Sequence, residues 1–217
     1  MSVKHQRLRI TEIFYSLQGE SKSIGCPTVF IRLTGCPLRC NYCDTSYAFT
    51  GGESLEFDEI LQQVKQYNTQ YITVTGGEPL AQKACKDFLT LLCDEDYRVS
   101  LETSGALDIS AVDSRVIRVM DIKTPSSGEQ EKNLLSNIQH LSQQDEVKFV
   151  ICNREDYDWS KVFIKEYELL QKCEVLFSPV HGDISATNLA DWILEDQLSV
   201  RFQVQLHKYL WNDEPGR

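Results

Sequence analysis

Three cysteines fall within eight residues, Cys36, Cys40 and Cys43, in the stretch Gly35-Cys36-Pro37-Leu38-Arg39-Cys40-Asn41-Tyr42-Cys43-Asp44-Thr45. Three thiolates on one short loop can hold three corners of a four-iron cluster and leave the fourth iron without a protein ligand. An open iron can bind a substrate or cofactor, whereas a cluster closed by four cysteines usually carries electrons. The competing readings are a zinc site and redox thiols. Structural zinc takes four ligands, and none of the four histidines, His5, His140, His181 and His207, is near the loop in sequence. A second feature is Gly76-Gly77-Glu78-Pro79, where paired glycines let backbone approach a ligand closely. Alone it would be a turn. A third is Arg32 inside the apolar run Phe30-Ile31-Arg32-Leu33, either snorkelling at a strand edge or offering a planar fork to a carboxylate.

These groups need elements to hold them. Strands are expected over 7–16, 27–33, 71–75, 98–102, 115–122, 146–151, 174–177 and 200–206, from β-branched and aromatic runs. Helices are expected over 57–67, 82–93, 132–141, 157–170 and 187–194 from apolar spacing. Strand–helix alternation predicts an α/β fold with a largely parallel sheet. With eight strands but only five helices it falls short of the eight strand–helix repeats of a full barrel. An incomplete, TIM-like barrel is preferred, with a doubly wound open sheet as the alternative. Side chains at C-terminal strand ends converge on one face in either case. The cysteine loop, Gly76 to Pro79, Thr103 to Gly105, Asp121 to Lys123, Ser178 and His207 should therefore meet around one site.

At 217 residues, with 41% hydrophobic and 25% charged residues, the chain reads as a single domain over 1–217. A formal net charge of −10 argues against a protein that coats nucleic acid. No apolar run approaches the ~20 residues of a membrane span. The polar start shows no signal-peptide core, so the expected location is cytoplasmic. The other five cysteines are scattered and read as buried thiols, not a disulfide framework.

The C-x3-C-x-aromatic-C loop together with Gly-Gly-Glu-Pro resembles the radical S-adenosylmethionine (SAM) enzymes. Further stretches narrow the resemblance: Leu17-Gln18-Gly19-Glu20, Cys43-Asp44-Thr45, Glu102-Thr103-Ser104-Gly105, Asp121-Ile122-Lys123 and Gln205-Leu206-His207-Lys208. In order, from about residue 8 to 211, they look like the 7-carboxy-7-deazaguanine synthase family. That resemblance implies conversion of 6-carboxy-5,6,7,8-tetrahydropterin to 7-carboxy-7-deazaguanine with loss of ammonia, in the synthesis of queuosine and other 7-deazapurines. It implies a [4Fe-4S] cluster, SAM and Mg²⁺, a reducing protein such as flavodoxin or ferredoxin, and a homodimer. No nucleic acid or membrane partner is expected.

Carried over by residue, the resemblance implies that Cys36, Cys40 and Cys43 ligate the cluster. Tyr42, Cys43, Asp44, Gly77, Asp121, Ile122 and Lys123 would lie along SAM. Leu17, Gln18, Gly19, Glu20, Arg32, Thr75 and His207 would meet the pterin, with Glu20 accepting from its guanidine-like nitrogens and Arg32 facing its carboxylate. Thr45 would give its hydroxyl to Mg²⁺. Glu20, Arg32 and Thr45 are thus the expected catalytic residues. Where several family members have Ser-Pro-Lys, this chain has Asp121-Ile122-Lys123. It also continues past His207-Lys208 through Arg217, so no terminal-carboxylate role is assigned. Two rival functions remain: an activase of glycyl-radical enzymes, which shares the cysteine loop, and a non-catalytic iron-sulfur or zinc-binding module.

Overall fold

The computed structural model describes residues 5–180, 182–212, 214 and 216. Its strands are β1 (Arg7–Leu17), β2 (Pro27–Leu33), β3 (Glu53–Glu56), β4 (Tyr71–Gly76), β5 (Arg98–Thr103), β6 (Ile117–Ile122), β7 (Glu146–Ile151), β8 (Glu174–Pro179) and β9 (Arg201–Phe202). They form one sheet in the order β3-β1-β2-β4-β5-β6-β7-β8-β9. β1 pairs antiparallel with β2 and β3, and every later neighbouring pair is parallel. β3 and β9 end the order without meeting, so the sheet is a partial barrel with mostly parallel strands, as expected.

Successive residues of a strand point to opposite faces, and here the two faces differ in chemistry. Val29, Ile31 and Leu33 of β2, Ile72 and Val74 of β4, and Val99 and Leu101 of β5 belong to the apolar core. Met120 and Ile122 of β6, Val147, Phe149 and Ile151 of β7, and Val175 and Phe177 of β8 join them. The residues between them face the lumen: Arg32, Thr75, Glu102, Asp121, Lys148 and Ser178 all line cavities.

Helices cover the apolar face. α1 (Phe57–Val64) buries Phe57, Ile60, Leu61 and Val64, the one-sided spacing of an amphipathic helix. Its start is fixed by a capping box between Glu56 and Glu59. α2 (Cys85–Asp94) buries Phe88, Leu89 and Leu92, and Phe88 meets Phe57 at 4.9 Å between ring centroids. α3 (Arg154–Glu166) is capped by Asn153, whose side chain accepts from the Asp156 N–H. α4 (Leu169–Lys172) and α5 (Ala186–Glu195) complete this layer, while α6 (Leu206–Trp211) buries no residue of its own. Phe149 sits among Trp159, Phe163 and Phe177.

Several expected elements differ. β3, Glu-Ser-Leu-Glu, carries no strand signal; it forms because its backbone pairs with Arg7–Ile10 at the open edge of β1. The helix expected over 132–141 is instead short 3-10 turns, Gln130–Lys132 and Leu135–His140. Asn133 and Asn137 explain this. The Asn133 side chain bonds both Lys123 N–H and Lys123 C=O, and Asn137 serves Gly105, Leu107 and Ile109. Asparagine side chains that satisfy loop backbone compete with helix. α3 begins earlier than expected and breaks at Glu168, which is left-handed at φ 51°. The last strand shrinks to two residues, because the chain turns at Gln203, whose side-chain Oε1 accepts from Ser21 N–H. His207 therefore lies in the first turn of α6, not at a strand end.

Candidate active site

The cysteine loop leaves the C-terminal end of β2 and is pinned from two sides. Glu78 N–H donates to Gly35 C=O at 2.8 Å, and Gly77 N–H to Leu33 C=O at 3.3 Å. Across the loop, Asn41 N–H donates to Ser127 C=O at 3.0 Å, and Arg39 N–H to the Glu129 carboxylate at 2.6 Å. Gly77 has to be glycine: a Cβ there would meet Gly35 O and the Cys36 Cβ at 2.7 Å. The paired glycines thus let the end of β4 lie flat against the loop. Glu78 is fully buried, accepting from Leu80 N–H, Thr103 Oγ1, and Ser104 N–H and Oγ, which ties the ends of β4 and β5 together.

Cys36, Cys40 and Cys43 line one cavity of about 650 Å³. Burial pushes the Cys36 and Cys40 thiols above their usual range, with Lys123 opposing. Burial likewise raises the Tyr42 phenol to about 12. Among the described residues, no three His, Cys, Asp or Glu side chains close on a point as the ligands of one ion would. Three thiols around a shared cavity fit a larger group whose separate irons each take one thiolate.

A second cavity, of about 490 Å³, occupies the lumen. Its polar wall is a network. Gln18 Nε2 donates to Thr73 Oγ1 at 3.0 Å and to Glu102 at 3.4 Å, and Thr75 Oγ1 donates to Glu102 at 2.9 Å. Burial raises the Glu102 carboxyl above its usual range, with Lys148 opposing and Glu20 adding. Lys148 donates to Glu20 at 2.8 Å and Lys123 to Asp121 at 2.8 Å. Burial alone would lower both ammonium groups, but Asp121 raises both, joined at Lys148 by Glu20 and Glu102. Those same cations hold Asp121 below its usual range despite burial. Phe14 and Phe30 stack at 4.9 Å on β1 and β2, with Phe30 beside Thr73 in register, giving a flat apolar surface. Arg32 Nε donates to Glu12 at 2.6 Å, which fixes the plane of the guanidinium. Among the described residues its terminal nitrogens donate to no oxygen.

Gln18, Gly19 and Glu20 follow β1, which runs opposite to the parallel strands. They therefore enter the lumen from the rim opposite the cysteine loop. Lys22 anchors this hairpin: its N–H donates to Glu146 at 2.9 Å, and its ammonium sits 3.6 Å from Glu174, both at strand starts. The C-terminal segment then closes over. Leu206 N–H donates to Gly19 C=O at 3.0 Å, and a Cβ on Gly19 would lie 2.6 Å from His207 Nδ1. Lys208 reaches Asp44 at 3.2 Å and Gln205 reaches it at 3.4 Å. Burial would raise Asp44, but Lys208, the Thr45 hydroxyl and Gln205 hold it down to about 2.

Of the expected site residues, Leu17, Gln18, Gly19, Glu20, Arg32, Thr75 and His207 all line the lumen cavity. Asp44, Thr45, Gly77, Asp121 and Lys123 line both cavities, and Tyr42 lines the one holding the cysteines. Ile122 is the exception. It is 4% exposed and points into the apolar core, so only its backbone can face a ligand. His5 and His140 lie away from both cavities, and His181 and Arg217 lie outside the described residues. Sequence reasoning missed Lys148, Glu102 as a site residue, Glu12, Lys208, and the wall formed by Val150, Cys152 and Asn153. Lys148 had a readable signal: a lone cation within Val147-Lys148-Phe149-Val150, as Arg32 is within its own apolar run.

An open α/β barrel with three thiols after its second strand and paired glycines at the end of the next parallel strand is a radical SAM architecture. Residues 30–121 match the family model of the Radical SAM superfamily. Among solved structures, QueE from Escherichia coli shares the fold with a TM-score of 0.78 at 22% identity, covering 94% of this chain and 96% of that one. The 7-carboxy-7-deazaguanine synthase of Chlorobaculum tepidum is 44% identical over 95% of this chain and 96% of its own length. That of Koribacter versatilis is 39% identical over 95% and 98%. The chain belongs to the 7-carboxy-7-deazaguanine synthase family.

Proposed function

We propose that this chain converts 6-carboxy-5,6,7,8-tetrahydropterin to 7-carboxy-7-deazaguanine with release of ammonia. The observation that carries the reading is the shared wall of the two cavities: Glu20, Asp44, Thr45, Gly77, Asp121, Lys123 and Lys148 border both. A group generated beside the cysteines can thus act on a ligand in the lumen without crossing solvent, which protects a reactive species. When bound, the cluster and SAM supply a one-electron cleavage that yields a hydrogen-abstracting radical.

In this reading Cys36, Cys40 and Cys43 hold the cluster. Tyr42, Cys43, Asp44, Gly77, Asp121, the Ile122 backbone and Lys123 border SAM. Phe14 and Phe30 give the pterin a face to lie on. Gln18 and the Leu17 and Gly19 backbone meet its edge, and Glu20 accepts from its amino-pyrimidine nitrogens, with Thr75 beside it. Arg32, its Nε held by Glu12, presents its terminal nitrogens to the substrate carboxylate. His207 closes the lumen from α6. Thr45 Oγ1 donates to Asp44 at 2.9 Å, which leaves the hydroxyl lone pairs for Mg²⁺. Mg²⁺ takes few protein ligands and completes its shell with substrate oxygens and water. The C6 hydrogen of the pterin would pass to that radical, and Mg²⁺ held by Thr45 would supply charge stabilisation at the substrate carboxylate.

The net charge of −10 supports a small-molecule enzyme without nucleic acid. No described helix is long and apolar enough to cross a membrane. A single-domain cytoplasmic homodimer reduced by flavodoxin or ferredoxin completes the proposal. The test is an anaerobic incubation of cluster-reconstituted protein with SAM, reductant, Mg²⁺ and the pterin, followed by mass spectrometry. 7-Carboxy-7-deazaguanine forming only with SAM and Mg²⁺ is expected. 5′-Deoxyadenosine without that product would reject the substrate.

A further inference from the structure

Lys148 stands opposite Asp121 in the β6–β7 register, and both side chains face the lumen. Its ammonium lies 2.8 Å from Glu20 and 3.4 Å from Asp121. Asp121 in turn accepts from Lys123 at 2.8 Å. The result is a chain of alternating charges, Glu20–Lys148–Asp121–Lys123, with side chains only 11%, 11%, 22% and 11% exposed. Glu20 comes from the β1 hairpin on the substrate side. Lys123 lies at the end of β6, where its charge acts on Cys40 and Tyr42.

Groups this buried interact strongly, because little water screens them. An ammonium has three protons and a carboxylate about four acceptor positions. A ligand that places paired N–H groups on both Glu20 oxygens competes for the Oε2 that Lys148 now uses. The ammonium then turns toward Asp121, already its second partner. Asp121 becomes more firmly held, and with it the position of Lys123 beside the cysteine loop. We propose that Lys148 is a positioning residue that couples the two cavities, so that occupancy of the pterin site tightens SAM binding. This rests on the assignment of pterin and SAM to the two cavities. By linkage the effect is reciprocal: SAM tightens pterin binding by the same factor.

The test measures SAM dissociation constants by equilibrium dialysis on cluster-reconstituted protein, with and without saturating 6-carboxytetrahydropterin. The wild-type protein should show at least about fivefold tighter SAM binding with the pterin present, the lower end of typical coupling. Lys148→Met should bring the ratio to about one while both ligands still bind, and Lys148→Arg should restore coupling. A wild-type ratio of one, with both ligands bound and product still formed, overturns the coupling and leaves the proposed function standing. That arm needs no variant to fold. Loss of affinity in Lys148→Met with the ratio preserved would reduce Lys148 to a structural part and also overturn the inference. Failure of the wild type to bind either ligand would overturn the proposed function and the coupling together.

Discussion

On β4, Ile72 and Val74 face the helices while Thr73 and Thr75 face the lumen; on β5, Val99 and Leu101 stand against Ser100 and Glu102. β7 repeats the division, with Val147 and Phe149 on one side and Lys148 on the other. The outer face is held by area removed from water and by ring contacts. The inner face is held by hydrogen bonds and paired charges, which contribute little net stability but are costly when half-broken. The sheet is thus built by its outer residues and made useful by its inner ones. A one-residue slip in register would exchange the two sets, so the apolar face also fixes the site.

Substitutions can break this division of labour from either side. Cys43→Ala should have the largest effect. Product formation should fall to background and cluster absorbance should be lost, while unfolding of the cluster-free protein stays unchanged. A variant that still makes product would remove Cys43 from the site. Phe149→Ala attacks the outer face and should lose about 3–5 kcal/mol of stability. Denaturant unfolding checks that, and turnover per folded, cluster-loaded molecule should remain near wild type.

Glu146 sharpens the comparison because it is a buried acid at the rim. Its carboxyl is pushed up to about 7 by burial, against the Lys22 N–H and ammonium. The folded state then binds more protons than the unfolded state between about 4.5 and about 7. Stability contributed by the protonated acid is present at low pH and is lost as pH rises through that window. A shift of this size corresponds to roughly 3 kcal/mol as an upper bound. Glu146→Gln should flatten that fall; an unaltered pH profile of urea unfolding would assign it elsewhere. The smallest effect is expected for Thr75→Val, which removes the hydroxyl donated to Glu102. Turnover should drop about tenfold, and stability should change by about 1 kcal/mol. A loss of stability with turnover per folded molecule unchanged would blur the distinction between the faces.

Much of this arrangement was legible because spacing carries it. The cysteine triplet, the glycine pair and the alternating strands were readable as local pattern, and they gave the parallel sheet, the open barrel and the loop. Pairing that depends on distant backbone was not. β3 exists through an edge of β1, and α6 begins where Leu206 N–H meets Gly19 C=O. Asn133 and Asn137 dissolved an apparently periodic helix because their amides serve Lys123 and Gly105. Lys148 shows in the sequence only as a lone cation in an apolar run, and the β6–β7 register is what sets it beside Asp121. The hairpin carrying Gln18 and Glu20 was placed by sequence resemblance; that it enters from the far rim follows only from the antiparallel run of β1.

The central claim is that the lumen holds the pterin with its C6 toward the cysteine-lined cavity. Substrate carrying deuterium at C6 tests it directly. Single turnovers should transfer the label into 5′-deoxyadenosine while 7-carboxy-7-deazaguanine forms. Product accompanied by unlabelled 5′-deoxyadenosine would contradict that arrangement.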